Sequence, residues 1–389
     1  MKDHYDVIVV GGGPGGSWAA KYAAENGMSV LLLEKDREIG LPVRCAEGLS
    51  EIGLRRLVKV QDRWIAHRAK GARLVAPDGT SILSTAEGMG FVLHRKIFDA
   101  DLAALASSAG AEVVTKAYVH GLLLEGGTVQ GVTVQYMGQQ YRIRASVVIG
   151  ADGTESRVGR WAGLQTHLPL KDIETCVQMT LTNIDFDADN VHLFFGRNIA
   201  PEGYAWVFPK GLKTANVGLG VSGKEAKKKK PITYLQEFVK REFPDAAILT
   251  TVAGSVSSAP FLKKAVTNGL ILVGDAAHQA NPITGGGILC AMIAGKIAGE
   301  VAAEAVQKGD VSQTQLAVYE KRWHQAEGKR NGLIYKIKEI VNTFTDNDLN
   351  QIAHTLKGIP PEKRSVFRIL KTAILKHPTL ILELSKLFT

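Results

Sequence analysis

Six consecutive residues, Gly11-Gly12-Gly13-Pro14-Gly15-Gly16, constrain this chain more than any other stretch. They follow a short β-rich apolar run, Tyr5 to Val10, and precede a helix-compatible stretch, Ser17 to Asn26, and a second apolar run, Ser29 to Glu34. Strand, glycine turn, helix and strand make a βαβ unit. Gly11, Gly13 and Gly16 fit the GxGxxG spacing. Glycine there lets the chain turn tightly, approach a pyrophosphate and pack helix on strand. Pro14 and Gly15 belong to the same turn and are counted with it as cofactor-binding. Glu34 closes the second strand 18 residues after Gly16, with Lys35 beside it. A carboxylate at that distance accepts hydrogen bonds from a ribose 2′-OH and disfavours a 2′-phosphate. The expected nucleotide is FAD or NAD rather than NADP.

The 389 residues suffice for two or three domains. Arg95 to Ser108 reads as an amphipathic helix, Leu122 to Arg144 as a strand meander, and Ser146 to Gly150 as another buried strand. Between Glu174 and Ser222 strand-like runs dominate, among them Val191 to Phe195, Tyr204 to Phe208 and Ala215 to Val221. Leu270 to Val273 returns to the buried-strand pattern, Gly285 to Val306 is a long Ala-rich helix, and the pattern from Val311 on is mostly helical. The expected fold is α/β. A discontinuous Rossmann-like dinucleotide domain comprises residues 1–72, 93–172 and 259–310, and an inserted antiparallel β-sheet substrate domain comprises 73–92 and 173–258. Residues 311–389 form a C-terminal helical region.

Lys and Arg number 47 against 38 Asp and Glu, a net charge of +9 that suits anionic partners. No nucleic-acid recognition module accompanies it, so nucleic acid is not an expected partner. Cys45, Cys176 and Cys290 have no metal-ligand spacing, so neither a disulfide framework nor a metal site is expected. The run Val7 to Val10 is too short for a signal peptide, and Ile288 to Ala298 carries Lys296 and falls short of the roughly 20 residues that cross a bilayer. The expected location is cytoplasmic, with any membrane contact peripheral, at the inner face. Lys224 and Lys227 to Lys230 read most simply as a solvated loop and more sharply as a surface for anionic lipid heads. Thr372 to Phe388, with Lys371, Lys376 and Lys386, either rests on a membrane or packs on the body, and Pro378 interrupts it.

Two later segments, Gly150-Ala151-Asp152-Gly153 and Gly274-Asp275-Ala276-Ala277-His278, both follow buried strands. Each resembles a signature of flavoproteins of the p-hydroxybenzoate hydroxylase type, which implies FAD as the cofactor and Asp275 on its ribityl chain. Asp152, Gly153 and Gly274 join the cofactor set on the same resemblance, and Arg95 resembles that family's arginine ahead of a helix near the flavin. Asn281-Pro282-Ile283-Thr284-Gly285-Gly286-Gly287 leads into the long helix. N–H groups at a helix start stabilise negative charge such as a reduced flavin carries. The isoalloxazine ring is therefore expected against Gly285, Gly286, Gly287 and Ile288.

The segments Pro42 to Leu49 and Pro201 to Pro209 resemble those of the geranylgeranyl reductase family. The second matches the pattern P-x-x-Y-x-W-x-F-P at Pro201, Tyr204, Trp206, Phe208 and Pro209. The resemblance runs in motif order from about Tyr5 to Asp310. It implies reduction of isolated double bonds in prenyl chains, on geranylgeranyl diphosphate, chlorophyll precursors or archaeal-type ether phospholipids. It also implies that Cys45, with Arg44 and Ala46, lies close to flavin and substrate, with Glu47 as a neighbour. Tyr204, Trp206 and Phe208 at period two share one strand face, an arrangement that is ordinary core unless its context says otherwise. Here the flanking prolines and the flavin motifs favour a wall for an isoprenoid, with Arg44 as a further substrate contact. Cys45 is a candidate proton donor or a small buried hydrophobe. His278 is an acid or a cap for local backbone groups. No second GxGxxG follows a strand, so the electron donor stays open between NAD(P)H and a reduced ferredoxin. The competing expectations are a flavin-dependent monooxygenase on the same fold and a non-catalytic lipid carrier.

Overall fold

The strand His4–Val10 is the hub of the first of two sheets. It pairs in parallel with Val30–Leu33 on one side and with the end of Gln139–Gly150 on the other. Leu270–Leu272 and Glu112–Val114 continue the parallel run outward. Val7, Ile8 and Val9 are all 0% exposed, because helices and loops cover both faces. Burial on both faces is why these strands read as unbroken apolar runs rather than alternations. Gln139–Gly150 changes partner along its length: its first half pairs antiparallel with Thr128–Tyr136, which pairs in turn with Tyr118–Glu125.

The structure, a computed structural model, describes residues 1–360, apart from the side chains of 85–89. Thr372 to Phe388 lies outside the described residues. The chain forms two compact units. The first comprises Met1–Val43, Arg95–Leu168 and Ser257–Gly332; the second comprises Arg44–His94, Pro169–Val256 and the described residues from Leu333 on. Residues 44–72, expected in the dinucleotide domain, fall in the second unit because Gly48–Leu49 and Ile65–Val75 are strands of its sheet. The described residues after Val311 are mostly helical, as expected, and divide between the two units at Gly332. Leu316, Tyr319 and Trp323 are buried in the first core, whereas Phe344, Ile352 and Leu356 pack with Ala76 and Ile82 of the second unit.

Within the first unit, helix Pro14–Glu25 lies against helix Ile288–Lys308. A Cβ at Gly295 would fall 2.2 Å from the Gly15 carbonyl oxygen, and one at Gly299 2.5 Å from that of Ala19. The two backbones therefore touch, and only glycine permits it.

The second sheet runs Ala247–Ser257, Ile173–Thr182, Thr214–Ser222, Tyr204–Pro209, Asn190–Phe194, Ile65–Val75, Ser81–Leu93, Gly48–Leu49. Its central pairings are antiparallel, except that Asn190–Phe194 and Ile65–Val75 run parallel. Ala205, Val207, Val217, Leu219 and Leu181 face Leu235 and Phe238 of helix Pro231–Glu242 in a buried core. By alternation, Tyr204, Trp206, Phe208, Cys176, Gln178 and Thr180 belong to the opposite face. Among the described residues, no helix is long and apolar enough to cross a membrane.

Candidate active site

The glycine turn of the first unit is shaped by close approaches. Gly11 adopts φ +107°, and a Cβ there would sit 2.3 Å from the Ala151 carbonyl oxygen. At Gly16 a Cβ would sit 1.9 Å from the Gly11 carbonyl oxygen, whereas Gly13 faces open space. Gly13 caps helix Pro14–Glu25, which has no side-chain cap and no acidic residue in its first turn. Its leading N–H groups are thus left for a ligand. Glu34 is held by two backbone amides: Gly12 N–H donates to Oε2 at 2.7 Å and Asp36 N–H to Oε1 at 2.9 Å. Lys35 is exposed.

Val158 N–H donates to Asp152 Oδ2 at 3.0 Å, while Oδ1 is buried with no hydrogen-bond partner among the described residues. Burial pushes the Asp152 carboxyl above the usual carboxylate range, and Gly153 beside it adopts φ +73°. Asp275 is likewise pushed up by burial, against the charge of Arg95. Arg95 itself makes a two-pronged pair with Asp99, at 2.7 and 2.6 Å. A Cβ on Gly287 would lie 3.3 Å from Asp275 Oδ1, so this carboxylate stands at the start of helix Ile288–Lys308. That helix also lacks a side-chain cap and an acidic first turn. Asn281 Oδ1 accepts the Ile283 and Thr284 N–H groups, both at 3.0 Å, and so sets the turn carrying Gly285, Gly286 and Gly287. Gly274, at φ +65°, donates its N–H to Gln279 Oε1 at 2.7 Å, and Gln279 Nε2 donates to the Tyr319 hydroxyl at 2.8 Å. Nothing local in the sequence singles out Gln279. The His278 ring is buried, with Nε2 3.2 Å from the Thr166 carbonyl oxygen.

Two uncapped helix starts therefore meet, with a Cβ on Gly15 only 3.3 Å from Ala291 Cβ. Around them stand three carboxylates, Glu34, Asp152 and Asp275. These residues fit FAD: the amides match a pyrophosphate, and the carboxylates match the hydroxyl groups of ribose and ribityl chain.

In the second unit, three rows cross the sheet. They run Tyr204–Gly220–Cys176, Trp206–Gly218–Gln178 and Phe208–Asn216–Thr180, the middle residue of each row lying between the other two. The glycines make room: a Cβ at Gly218 would fall 2.5 Å from the Trp206 ring, and one at Gly48 2.4 Å from the Phe208 ring. Trp206 Nε1 donates to Gln178 Oε1 at 3.0 Å, and Gln178 Nε2 donates to the Cys45 carbonyl at 3.1 Å. The half-buried Cys45 accepts the Glu47 N–H at Sγ, 3.2 Å away. Burial, helped by Glu174 and Cys45, pushes the Cys176 thiol up to about 12. Burial raises the Tyr204 phenol as well, so both groups keep their protons at neutral pH.

Arg44 is exposed, next to Gly254, where a Cβ would lie 3.6 Å from its own Cβ. Pro201 is buried, and Pro209 ends the aromatic strand opposite Ala215. Arg44, Cys45 and Ala46, expected at the cofactor, thus belong to the unit that carries the aromatic strand. Of the basic run, Lys228 pairs with Glu225 at 2.8 Å and Lys229 with Glu237 at 2.5 Å, which neutralises part of its charge locally.

Residues 172–256 match the model of the geranylgeranyl reductase catalytic domain, and residues 5–185 that of pyridine nucleotide-disulphide oxidoreductases. A digeranylgeranylglycerophospholipid reductase of Methanocella arvoryzae is 49% identical over 388 residues, covering 99% of each chain. One of Methanosarcina mazei is 47% identical, covering 100% of this chain and 97% of its own. The crystal structure of a geranylgeranyl bacteriochlorophyll reductase-like protein from Thermoplasma acidophilum superposes with a TM-score of 0.93 at 38% identity, covering 99% of both chains. A flavin-dependent brominase shares the fold at TM-score 0.74 and 19% identity, covering 97% of this chain and all of its own. With 49% identity across essentially the whole of both chains, this chain belongs to the geranylgeranyl reductase family of FAD-dependent oxidoreductases.

Proposed function

We propose that this reductase saturates the isolated double bonds of geranylgeranyl chains carried on a digeranylgeranylglycerophospholipid, the substrate in its relatives' names, with geranylgeranyl diphosphate as the competing prenyl substrate. The observation that carries this reading is the link from the Trp206 indole through the Gln178 side chain to the backbone carbonyl of Cys45, which ties the aromatic strand to the turn that bears the thiol, within one unit. When bound, reduced FAD supplies the hydride. An isolated alkene has no carbonyl to take up developing charge, so the protein must hold the bond still, exclude water and present an acid. Tyr204, Trp206 and Phe208, with Pro201 and Pro209 at their flanks, wall the prenyl chain. Cys45 delivers the proton to the second alkene carbon, and the exposed Arg44 meets the phosphate of the head group. In the first unit, Gly11, Gly13, Pro14, Gly15, Gly16 and Glu34 with Lys35 hold the adenosine diphosphate end. Arg95, Asp152, Gly153, Gly274, Asp275 and Gly285 to Ile288 hold the flavin end. His278 takes a structural role, because its ring is engaged with the Thr166 carbonyl.

The test is anaerobic mixing of the dithionite-reduced protein with the geranylgeranylated lipid and with geranylgeranyl diphosphate. Gains of hydrogen pairs in the lipid mass, with reoxidation of the flavin, are expected. Unchanged prenyl mass with the flavin still reduced would sink the reading. Cys45→Ala should slow the chemical step by at least about tenfold while flavin binding is kept. For the donor, flavin bleaching is to be followed with NADH, NADPH and reduced ferredoxin; the net charge of +9 suits an acidic redox protein. A monooxygenase would couple NAD(P)H oxidation to oxygen uptake, and the reductase names of the relatives do not favour it.

A further inference from the structure

Three consecutive carbonyls, those of Cys45, Ala46 and Glu47, each have a fixed donor within the second unit. Gln178 Nε2 donates to the first at 3.1 Å, Asn216 Nδ2 to the second at 3.4 Å and Leu93 N–H to the third at 2.9 Å. Glu47 stands in the left-handed region at φ +72°. A residue with a side chain stays there only when its surroundings over-determine it. Here the carboxylate does so: Oε2 accepts from Lys210 Nζ at 2.7 Å and from Asn216 Nδ2 at 2.6 Å, with Glu47 only 5% exposed. Lys210 also donates to the Leu93 carbonyl. Behind Asn216, its Oδ1 accepts from the Thr180 hydroxyl at 3.0 Å, which accepts from Thr250, also at 3.0 Å. The twist so imposed aims the Glu47 N–H at Cys45 Sγ, 3.2 Å away.

We propose that Glu47 is a positioning residue of the reductase: its carboxylate, clamped by Lys210 and Asn216, holds the left-handed turn that fixes the Cys45 thiol. Through Gln178 the same turn is tied to the indole of Trp206, so thiol and aromatic strand share one support. The inference rests on Cys45 as proton donor, but the clamp acts on the thiol whether or not the thiol delivers that proton. A merely structural Glu47 makes the opposite forecast. Glycine at position 47 would remove the backbone cost of a positive φ and leave turnover intact.

The experiment uses the FAD-loaded protein with Glu47→Gly, Glu47→Gln and Asn216→Ala. It reads anaerobic turnover of the geranylgeranylated lipid and the rate at which iodoacetamide alkylates Cys45, located by peptide mass. In Glu47→Gly, kcat is expected to fall about tenfold or more with KM little changed, and alkylation of Cys45 to change by more than about threefold. Glu47→Gln, which keeps an acceptor for Lys210 and Asn216, should recover part of both. Wild-type kcat in Glu47→Gly overturns the proposal, and so does a fall in kcat with alkylation unchanged. If Glu47→Gly does not fold, Asn216→Ala decides, since it removes one of the two clamps on the Glu47 carboxylate; unchanged alkylation of Cys45 there overturns the proposal. Failure of the proton-donor reading looks different: Cys45→Ala would turn over at the wild-type rate while alkylation in Glu47→Gly still changed.

Discussion

Asp152 and Asp275 are carboxyl groups held away from water, and Asp152 Oδ1 has no hydrogen-bond partner among the described residues. Burial raises each carboxyl in the folded state above its unfolded value. The folded chain then holds more protons than the unfolded one, so flavin-free protein loses stability as pH rises from the ordinary carboxylate range through the folded pKa. Asp152→Asn should flatten that slope and raise the stability of the flavin-free protein at neutral pH by roughly 1 kcal/mol, while weakening flavin retention. Thermal unfolding across pH, paired with flavin absorbance after dialysis, checks both; an unfolding temperature that climbs with pH over that range contradicts the sign. In the second unit, Trp206→Phe keeps an aromatic ring but deletes the donor to Gln178. Turnover should drop severalfold, roughly the worth of one lost hydrogen bond of about 1 kcal/mol, with the fold intact by circular dichroism. Glu34 and Asp275 were legible in the sequence because each stands at a fixed offset from a strand and a glycine turn. Gln178, Asn216 and Lys210 were not, because the pairing of distant strands rather than chain spacing brings them to the turn from Cys45 to Glu47.

At the level of elements, the two helices that start at the proposed cofactor site depend on missing side chains. Gly295→Ala would drive a methyl group to within 2.2 Å of the Gly15 carbonyl oxygen. The helices must part, at a cost of roughly 1–3 kcal/mol, and the amides at their starts shift with them. A lowered unfolding temperature and release of flavin are expected from this one substitution; a variant that keeps its flavin at wild-type affinity would show that the helix starts do not depend on this contact. The sequence reads this helix well because it is long and rich in alanine, although it begins at Ile288 rather than Gly285. The parallel strands are equally legible, being apolar on both faces. Residues 73–92 are legible as part of the second sheet, but the start of Ile65–Val75 and its pairing with Ser81–Leu93 are not. Ile65–Val75 mixes Arg, Lys and His with half-buried apolar residues, so neither alternation nor an unbroken apolar run marks it. Helix Pro231–Glu242, by contrast, has apolar residues at helical spacing, Ile232, Leu235, Phe238 and Val239, and was open to the same reading.

Taken whole, the chain passes between its two units five times, after residues 43, 94, 168, 256 and 332. The discontinuity itself was legible, since a buried strand and a long helix reappear after the second sheet, but its boundaries depend on pairing partners that lie far apart in sequence. A fragment of residues 1–168 contains the glycine turn, yet it lacks Leu270–Leu272, the parallel neighbour of Gln139–Gly150, and the helix Ile288–Lys308. Such a fragment should neither unfold cooperatively nor retain flavin, as differential scanning calorimetry and absorbance would report. A cooperative transition with bound flavin would contradict this. The late arrival of Leu270–Leu272 also has a consequence during synthesis on the ribosome. The central β-layer that begins at the fourth residue must wait, one edge open, until more than two hundred and sixty others have been translated. Nascent polypeptides halted before that point should emerge uncoloured and depend on chaperones.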